Sequence, residues 1–142
     1  MRAEATRDLD APRADVWAFI TEPHHLADWW PEITAVRPDR RGLAAGARWE
    51  VVGPNTPTLF RKAYAQSLLV VREVEQFRRA CWYLTAERLT CDIELQAIDE
   101  EHTRVRLTVD GPWRPEAFGR PRALPRNALA RLHALCQTAA TR

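Results

Sequence analysis

Few side chains in this sequence can move a proton or attack a carbon. There are four histidines, three cysteines and two tyrosines. His24 and His25 are adjacent, so on a helix their rings diverge and make a poor metal pair. His102 sits in a turn. His133 lies one helical turn after Leu129, at the edge of an apolar stripe, and is the histidine placed to reach an interior. General acid–base work needs a titratable group inside an apolar pocket, where burial moves its pKa toward neutrality. The candidates are Tyr64, Tyr83, Glu50, Asp92 and His133. Strand parity sends Asp92 and Glu94 to a wet face and Glu50 opposite Trp49, leaving Tyr64 and His133 as the weak catalytic candidates. Arg61 would be the oxyanion or carboxylate partner of Tyr64, but their odd separation turns them to opposite faces of a regular strand. No coherent acid–base pair emerges.

Cofactor and metal chemistry find no foothold either. Cys81, Cys91 and Cys136 are odd in number and lack C-x-x-C spacing, so they read as small buried apolar residues. G-x-G-x-x-G, the phosphate loop G-x-x-x-x-G-K-[ST], H-E-x-x-H and G-x-S-x-G do not occur. No cofactor and no metal are expected.

The elements that hold these residues follow from composition and period. A chain of 142 residues with 46% hydrophobic and 28% charged side chains is expected to form one domain, 1–142, with an ordinary core. A net charge of +2 argues against nucleic acid as partner, and no apolar run reaches the ~18–20 residues of a membrane span. With no leader-like stretch at the N-terminus, a cytoplasmic location is expected. Twenty arginines against one lysine, beside twenty-two alanines, reads as coding bias, so single arginines carry little weight.

Residues 3–9 alternate as a short strand, and Asp10 is positioned to cap a helix over 12–21 that begins at Pro12. Pro23 opens a second short helix that Pro31 ends. Strands are predicted at 33–37, 47–52, 59–65, 68–76, 79–85, 89–98 and 103–109, parted by turn signals such as Asp39-Arg40-Arg41-Gly42. The period of two is cleanest in the last two: Leu89, Cys91, Ile93, Leu95 and Ala97 share one face, as do Val105, Leu107 and Val109. That pattern means an antiparallel sheet with one wet and one buried face. After a proline- and arginine-rich loop, 111–125, the residues from 127 to 140 carry Ala128, Leu129, Leu132, Leu135, Cys136 and Ala139 as one helical stripe. The reading is α+β: β-α-α, about six antiparallel strands, then one long C-terminal helix.

That order resembles the helix-grip fold of the START-like, birch-pollen-allergen-like (SRPBCC) superfamily, in which a curved sheet wraps around the C-terminal helix. Asp10 to Trp17 is similar to the family's APxxxVW opening of the first helix, and Pro23 to Ile33 to its P..L..W.P.I segment. Gly46-Ala47-Arg48-Trp49 resembles the glycine that opens its third strand. His102-Thr103-Arg104-Val105 resembles the GTRV start of its last strand, with His102 where glycine is usual. Within the superfamily the chain looks most like the bacterial polyketide cyclase/dehydrase and lipid-transport group.

The resemblance implies an apolar cavity between sheet and helix, the usual form of a small-molecule site. Parity points Trp49, Val51, Ile93, Leu95, Val105 and Leu107 inward, with Leu129, Leu132 and Cys136 from the helix and Trp82 and Leu84 beside them. Trp17, Trp29 and Trp30 read as core filling, because the short helices that carry them brace the sheet's rim, whereas Trp49 and Trp82 are equally suited to ligand stacking and core filling. Trp113 and Phe118 could close the mouth as a lid or simply pin the connector. Residues 113–131 hold five arginines and one glutamate, a basic rim suited to an acidic group on a ligand or on a protein partner.

The leading expectation is therefore binding of a hydrophobic or aromatic small molecule, such as a lipid, quinone or polyketide. The alternatives are a cyclase/aromatase/dehydrase-type enzyme and a protein-interaction module.

Overall fold

The computed structural model describes residues 1–31, 33–52, 66–112 and 120–140. Strand β1 (Arg2–Leu9) leads into helix α1 (Arg13–Thr21), a 3₁₀ turn (Pro23–His25) and the single-turn helix α2 (Leu26–Trp29). Strands β2 (Ala35–Arg37), β3 (Arg48–Val52), β4 (Gln66–Glu75), β5 (Arg79–Leu84), β6 (Leu89–Ala97) and β7 (Thr103–Asp110) follow, and helix α3 (Arg120–Ala140) closes the chain. All strand pairs are antiparallel, in one seven-stranded curved sheet of order β1-β7-β6-β5-β4-β3-β2. The α+β helix-grip architecture expected from the sequence is the one found. The strand expected at 59–65 lies outside the described residues.

Two local expectations are corrected. Asp10 does not cap α1: the N-cap is Pro12, with no side-chain cap bond, and its carbonyl accepts from the Asp15 and Val16 amides at 3.0 and 3.1 Å. A cap side chain must sit at the N-cap itself to reach the first free amides, and Asp10 is two residues too early. Helix α3 begins at Arg120, seven residues before the predicted 127, and carries Pro125 inside it. A proline in the second turn forfeits only the bond to the carbonyl four residues back, and Pro125 buries its ring instead. The proline-rich stretch read as loop to 125 is thus helical from 120.

The sheet's two faces are chemically separate. Its inner face carries Trp49 and Val51, Leu69 and Val71, Ala80, Trp82 and Leu84, Cys91, Ile93 and Leu95, and Val105, Leu107 and Val109, all buried. Across from them α3 buries Leu124, Ala128, Leu129, Leu132 and Cys136. The outer face is a lattice of cross-strand ion pairs. Arg79 Nε donates to Asp92 Oδ2 at 2.9 Å and its NH1 to Glu73 at 2.6 Å; Arg104 pairs with Asp8 at 2.8 Å, and Arg106 pairs with Glu94. A register shift between Val71 and Glu73 interrupts the β4–β5 ladder, and such bulges bend a strand and increase its twist. Arg72, the extra residue there, lays its guanidinium over the Tyr83 ring at 4.6 Å.

The turn before β3 depends on two glycines. Gly42 and Gly46 sit at φ +62° and +89°, where an L side chain is strained. Gly46 donates its amide to the Val71 carbonyl at 2.8 Å, and the Gly42 carbonyl accepts the Trp49 indole N–H at 3.0 Å. The turn thereby fixes the Trp49 ring inside the grip.

Candidate functional site

The inward positions predicted by parity come together. Trp49, Val51, Trp82, Leu84, Ile93, Leu95, Val105, Leu107, Leu129, Leu132 and Cys136 are all buried and belong to one contiguous apolar cluster between sheet and α3. Tyr64, Arg61, Trp113 and Phe118 lie outside the described residues.

Trp29 and Trp30, read from the sequence as core filling on helices that brace the rim, do fill the core, and they do so over the middle of the sheet. Both are completely buried. Their rings meet edge-to-face at 5.6 Å between centroids, and each also meets Trp82, at 6.2 and 5.7 Å. Trp82 comes from the sheet's central strands, where it stands opposite Val71 on β4 and Cys91 on β6. The short helix α2 and its C-cap residue Trp30 therefore set two indoles over the concave face at the position of a third. The only signal in the sequence was Trp-Trp followed by Pro31, which ends the helix and fixes where the pair enters.

Acid–base chemistry has little to work with in this interior. Among the described residues the single buried polar or charged side chain, cysteines aside, is Thr103, and its hydroxyl donates to the Ala11 carbonyl at 2.8 Å. The thiols are neutral: burial pushes Cys91 well above its ordinary value and Cys136 up to about 11, and it raises Cys81 as well. All three cysteines are free and buried.

His133 sits at the end of the grip, with its side chain 20% exposed and turned toward Asp10. Its Nε2 is 3.5 Å from Asp10 Oδ2, which also accepts from Gln137 Nε2 at 3.3 Å. The other Asp10 oxygen faces His102 Nε2 at 3.7 Å, and His102 Nδ1 meets Asp99 Oδ1 at 2.8 Å. This chain of polar groups ties the end of β1, the β6–β7 turn and α3 together. Among the described residues no group of three or more His, Cys, Asp or Glu side chains has the arrangement of a metal site.

The clasp has a pH signature. Hydrogen bonding to Asp99, then the charges of Asp99, Asp10 and Glu101, raise the His102 pKa above its ordinary value of about 6.5. The folded chain then holds this proton more tightly than the unfolded one. The contribution to stability is fully present below about pH 6.5 and is lost as pH rises through the higher folded value. In an NMR titration the His102 ring should change charge above pH 6.5, and Asp99→Asn should bring the midpoint down. An unchanged midpoint in that variant would show that Asp99 does not hold the proton.

A groove of about 460 Å³ lies at the sheet's β1 edge, lined by Glu4, Ala5, Thr6, Arg122, Ala123 and Arg126. It is open and outside the grip. Arg122, Arg126 and Arg131 of the basic segment are exposed on α3.

A curved antiparallel sheet gripping a C-terminal helix over an apolar, aromatic interior defines a START-like (SRPBCC) fold. The chain belongs to the polyketide cyclase / dehydrase and lipid transport family, whose model matches residues 1–137. No curated protein matches it. Solved structures of the same fold include a protein from Nitrosospira multiformis, with 18% identity, full coverage of both chains and a TM-score of 0.72. Protein NE0264 from Nitrosomonas europaea is 20% identical, with 100% of this chain and 97% of that one covered and a TM-score of 0.72. DynU16, a protein of the dynemicin biosynthetic locus, is 20% identical over 97% of this chain, which spans 48% of its length, with a TM-score of 0.67. At these identities the likeness is one of fold. No helix among the described residues is long and apolar enough to cross a membrane.

Proposed function

We propose that this protein binds a hydrophobic or aromatic small molecule, of lipid, quinone or polyketide type, between the concave face of the sheet and α3. The observation that carries this reading is the composition of the interior. It is built from aliphatic side chains and five buried tryptophans, Trp17, Trp29, Trp30, Trp49 and Trp82, around a single hydrogen-bonded hydroxyl among the described residues. Apolar walls with aromatic faces suit a flat or greasy ligand. The same composition weighs against the enzymatic alternative. A cyclase or dehydrase step needs a proton donor or acceptor beside the ligand, and His133, one of the two candidates, engages Asp10 at the outer clasp. The family description and the biosynthetic locus of DynU16 keep polyketide-like molecules among the first to try.

Titration with quinones, fatty acids and flat polyphenols, followed by intrinsic tryptophan fluorescence, tests the reading. Saturable quenching is expected in the wild type and its loss in Leu132→Trp, which puts a bulkier side chain on the buried face of α3. A flat response across the whole panel would sink the binding reading and turn attention to α3's exposed arginines as a protein contact.

A further inference from the structure

Three buried side-chain nitrogen or oxygen atoms among the described residues lack a hydrogen-bond partner, and all three are indole nitrogens: Trp29 Nε1, Trp30 Nε1 and Trp82 Nε1. They belong to the one cluster whose ring centroids lie 5.6 to 6.2 Å apart. Trp49, also buried, pairs its N–H with the Gly42 carbonyl, so an indole in this core is able to find a partner. The Trp82 N–H has the Cys91 sulfur, a weak acceptor, beside it and no oxygen or nitrogen partner. Interiors pair about nine in ten or more of their buried polar groups, and an unmet donor is costly. Edge-to-face packing does not require these N–H groups, since phenylalanine rings pack in the same way. Three indole donors in one place with no oxygen or nitrogen acceptor point to an acceptor from outside the chain.

We infer that the Trp29–Trp30–Trp82 cluster is a hydrogen-bond donor site for a neutral carbonyl or quinone oxygen carried on a flat fused-ring ligand. The inference rests on the binding reading above and narrows its ligand class. The oxygen is neutral because the interior offers no buried cation among the described residues, and an unpaired carboxylate there would be far costlier than a ketone. One ketone oxygen accepts two N–H groups through its two lone pairs. Centroids this close put all three donors within the span of one fused-ring molecule. Access runs through α2, a single turn between Pro23 and Pro31, held at its end by the Trp30 amide on Leu26 at 2.8 Å and the Ile33 amide on Trp30 at 3.2 Å. Displacing that turn lifts Trp29 and Trp30 from Trp82.

The test compares 9-fluorenone with fluorene, the same flat tricycle with and without the carbonyl, on the ¹⁵N-labelled full chain. Indole N–H resonances are assigned with Trp29→Phe, Trp30→Phe and Trp82→Phe. Fluorenone should bind about tenfold more tightly than fluorene, the equivalent of one or two neutral hydrogen bonds, and should shift the Trp29 and Trp30 N–H signals. The double variant Trp29→Phe/Trp30→Phe should bring the ratio of the two affinities to about one, whatever it does to the affinity for both tricycles. Equal binding of the two, with those signals unmoved by the carbonyl, would leave the binding reading standing and overturn the donor site; the N–H groups would then be served by ordered water. If neither tricycle binds, both readings fail for flat aromatics. The wild-type comparison stands even if the double variant does not fold.

Discussion

Replacing Trp82 by alanine is expected to cost about 3–5 kcal/mol, the range for deleting a large buried aromatic side chain. The residue is only 2% exposed and stands in the middle of the sheet, opposite Val71 and Cys91 on its two neighbouring strands. Removing the indole takes away the floor on which Trp29 and Trp30 pack, and with it two edge-to-face contacts at 6.2 and 5.7 Å. A short single-turn helix cannot follow a retreating surface without breaking its own bonds, so collapse into the space is incomplete. The comparison with Trp82→Phe is the informative one. Phenylalanine keeps most of the buried area and deletes an N–H that has no partner, so it should cost less than about 1.5 kcal/mol. Urea denaturation of the three proteins side by side gives the two differences directly. Equal losses in the alanine and phenylalanine variants would mean that the N–H, and not the ring's bulk, stabilises the cluster.

Thr103→Val is expected to destabilise by about 1–3 kcal/mol despite matching the side chain in shape. Thr103 is fully buried where β7 begins, and its hydroxyl donates at 2.8 Å to the carbonyl of Ala11. That carbonyl lies in the two-residue link between β1 and the N-cap of α1, so the bond ties the sheet to its first helix across 92 residues of sequence. Valine leaves the carbonyl without this donor in a buried position. Thr103→Ser retains the hydroxyl and loses one methyl, at a cost of roughly 1 kcal/mol. If valine proves no worse than serine in chemical denaturation, the hydrogen bond contributes nothing and the methyl carries the residue's role.

Both predictions concern contacts that differ in how far the sequence reveals them. Local chemistry determined the elements. Alternation at Leu89–Ala97 and Thr103–Asp110 put the right residues on the inner face, because a strand's period of two is fixed by its backbone. The apolar stripe Ala128, Leu129, Leu132, Cys136 marked the gripping face of α3 for the same kind of reason, with a period of 3.6. Short motifs around Pro12, Pro23 and Gly46 placed the whole within one superfamily, since each reports a backbone conformation that few residues tolerate.

What the tertiary structure decided is where those elements meet. Helix α3 runs back through Pro125 because packing of Leu124 and Pro125 against the body outweighs one lost hydrogen bond. Phe77 turns a hairpin at φ +66°, a poor local choice that its edge contact with Trp17 helps to hold. Asp10, whose residue type and position read as a helix cap, spends its carboxylate on His102, His133 and Gln137 from two distant segments. That Trp29 and Trp30 fill the core was legible in the sequence; that they meet Trp82, carried up beneath them by the sheet, was not. Periodicity tells which way a side chain faces relative to its own backbone. It contains no distance between elements, and a cluster of three indoles with unmet donors exists only as a set of such distances.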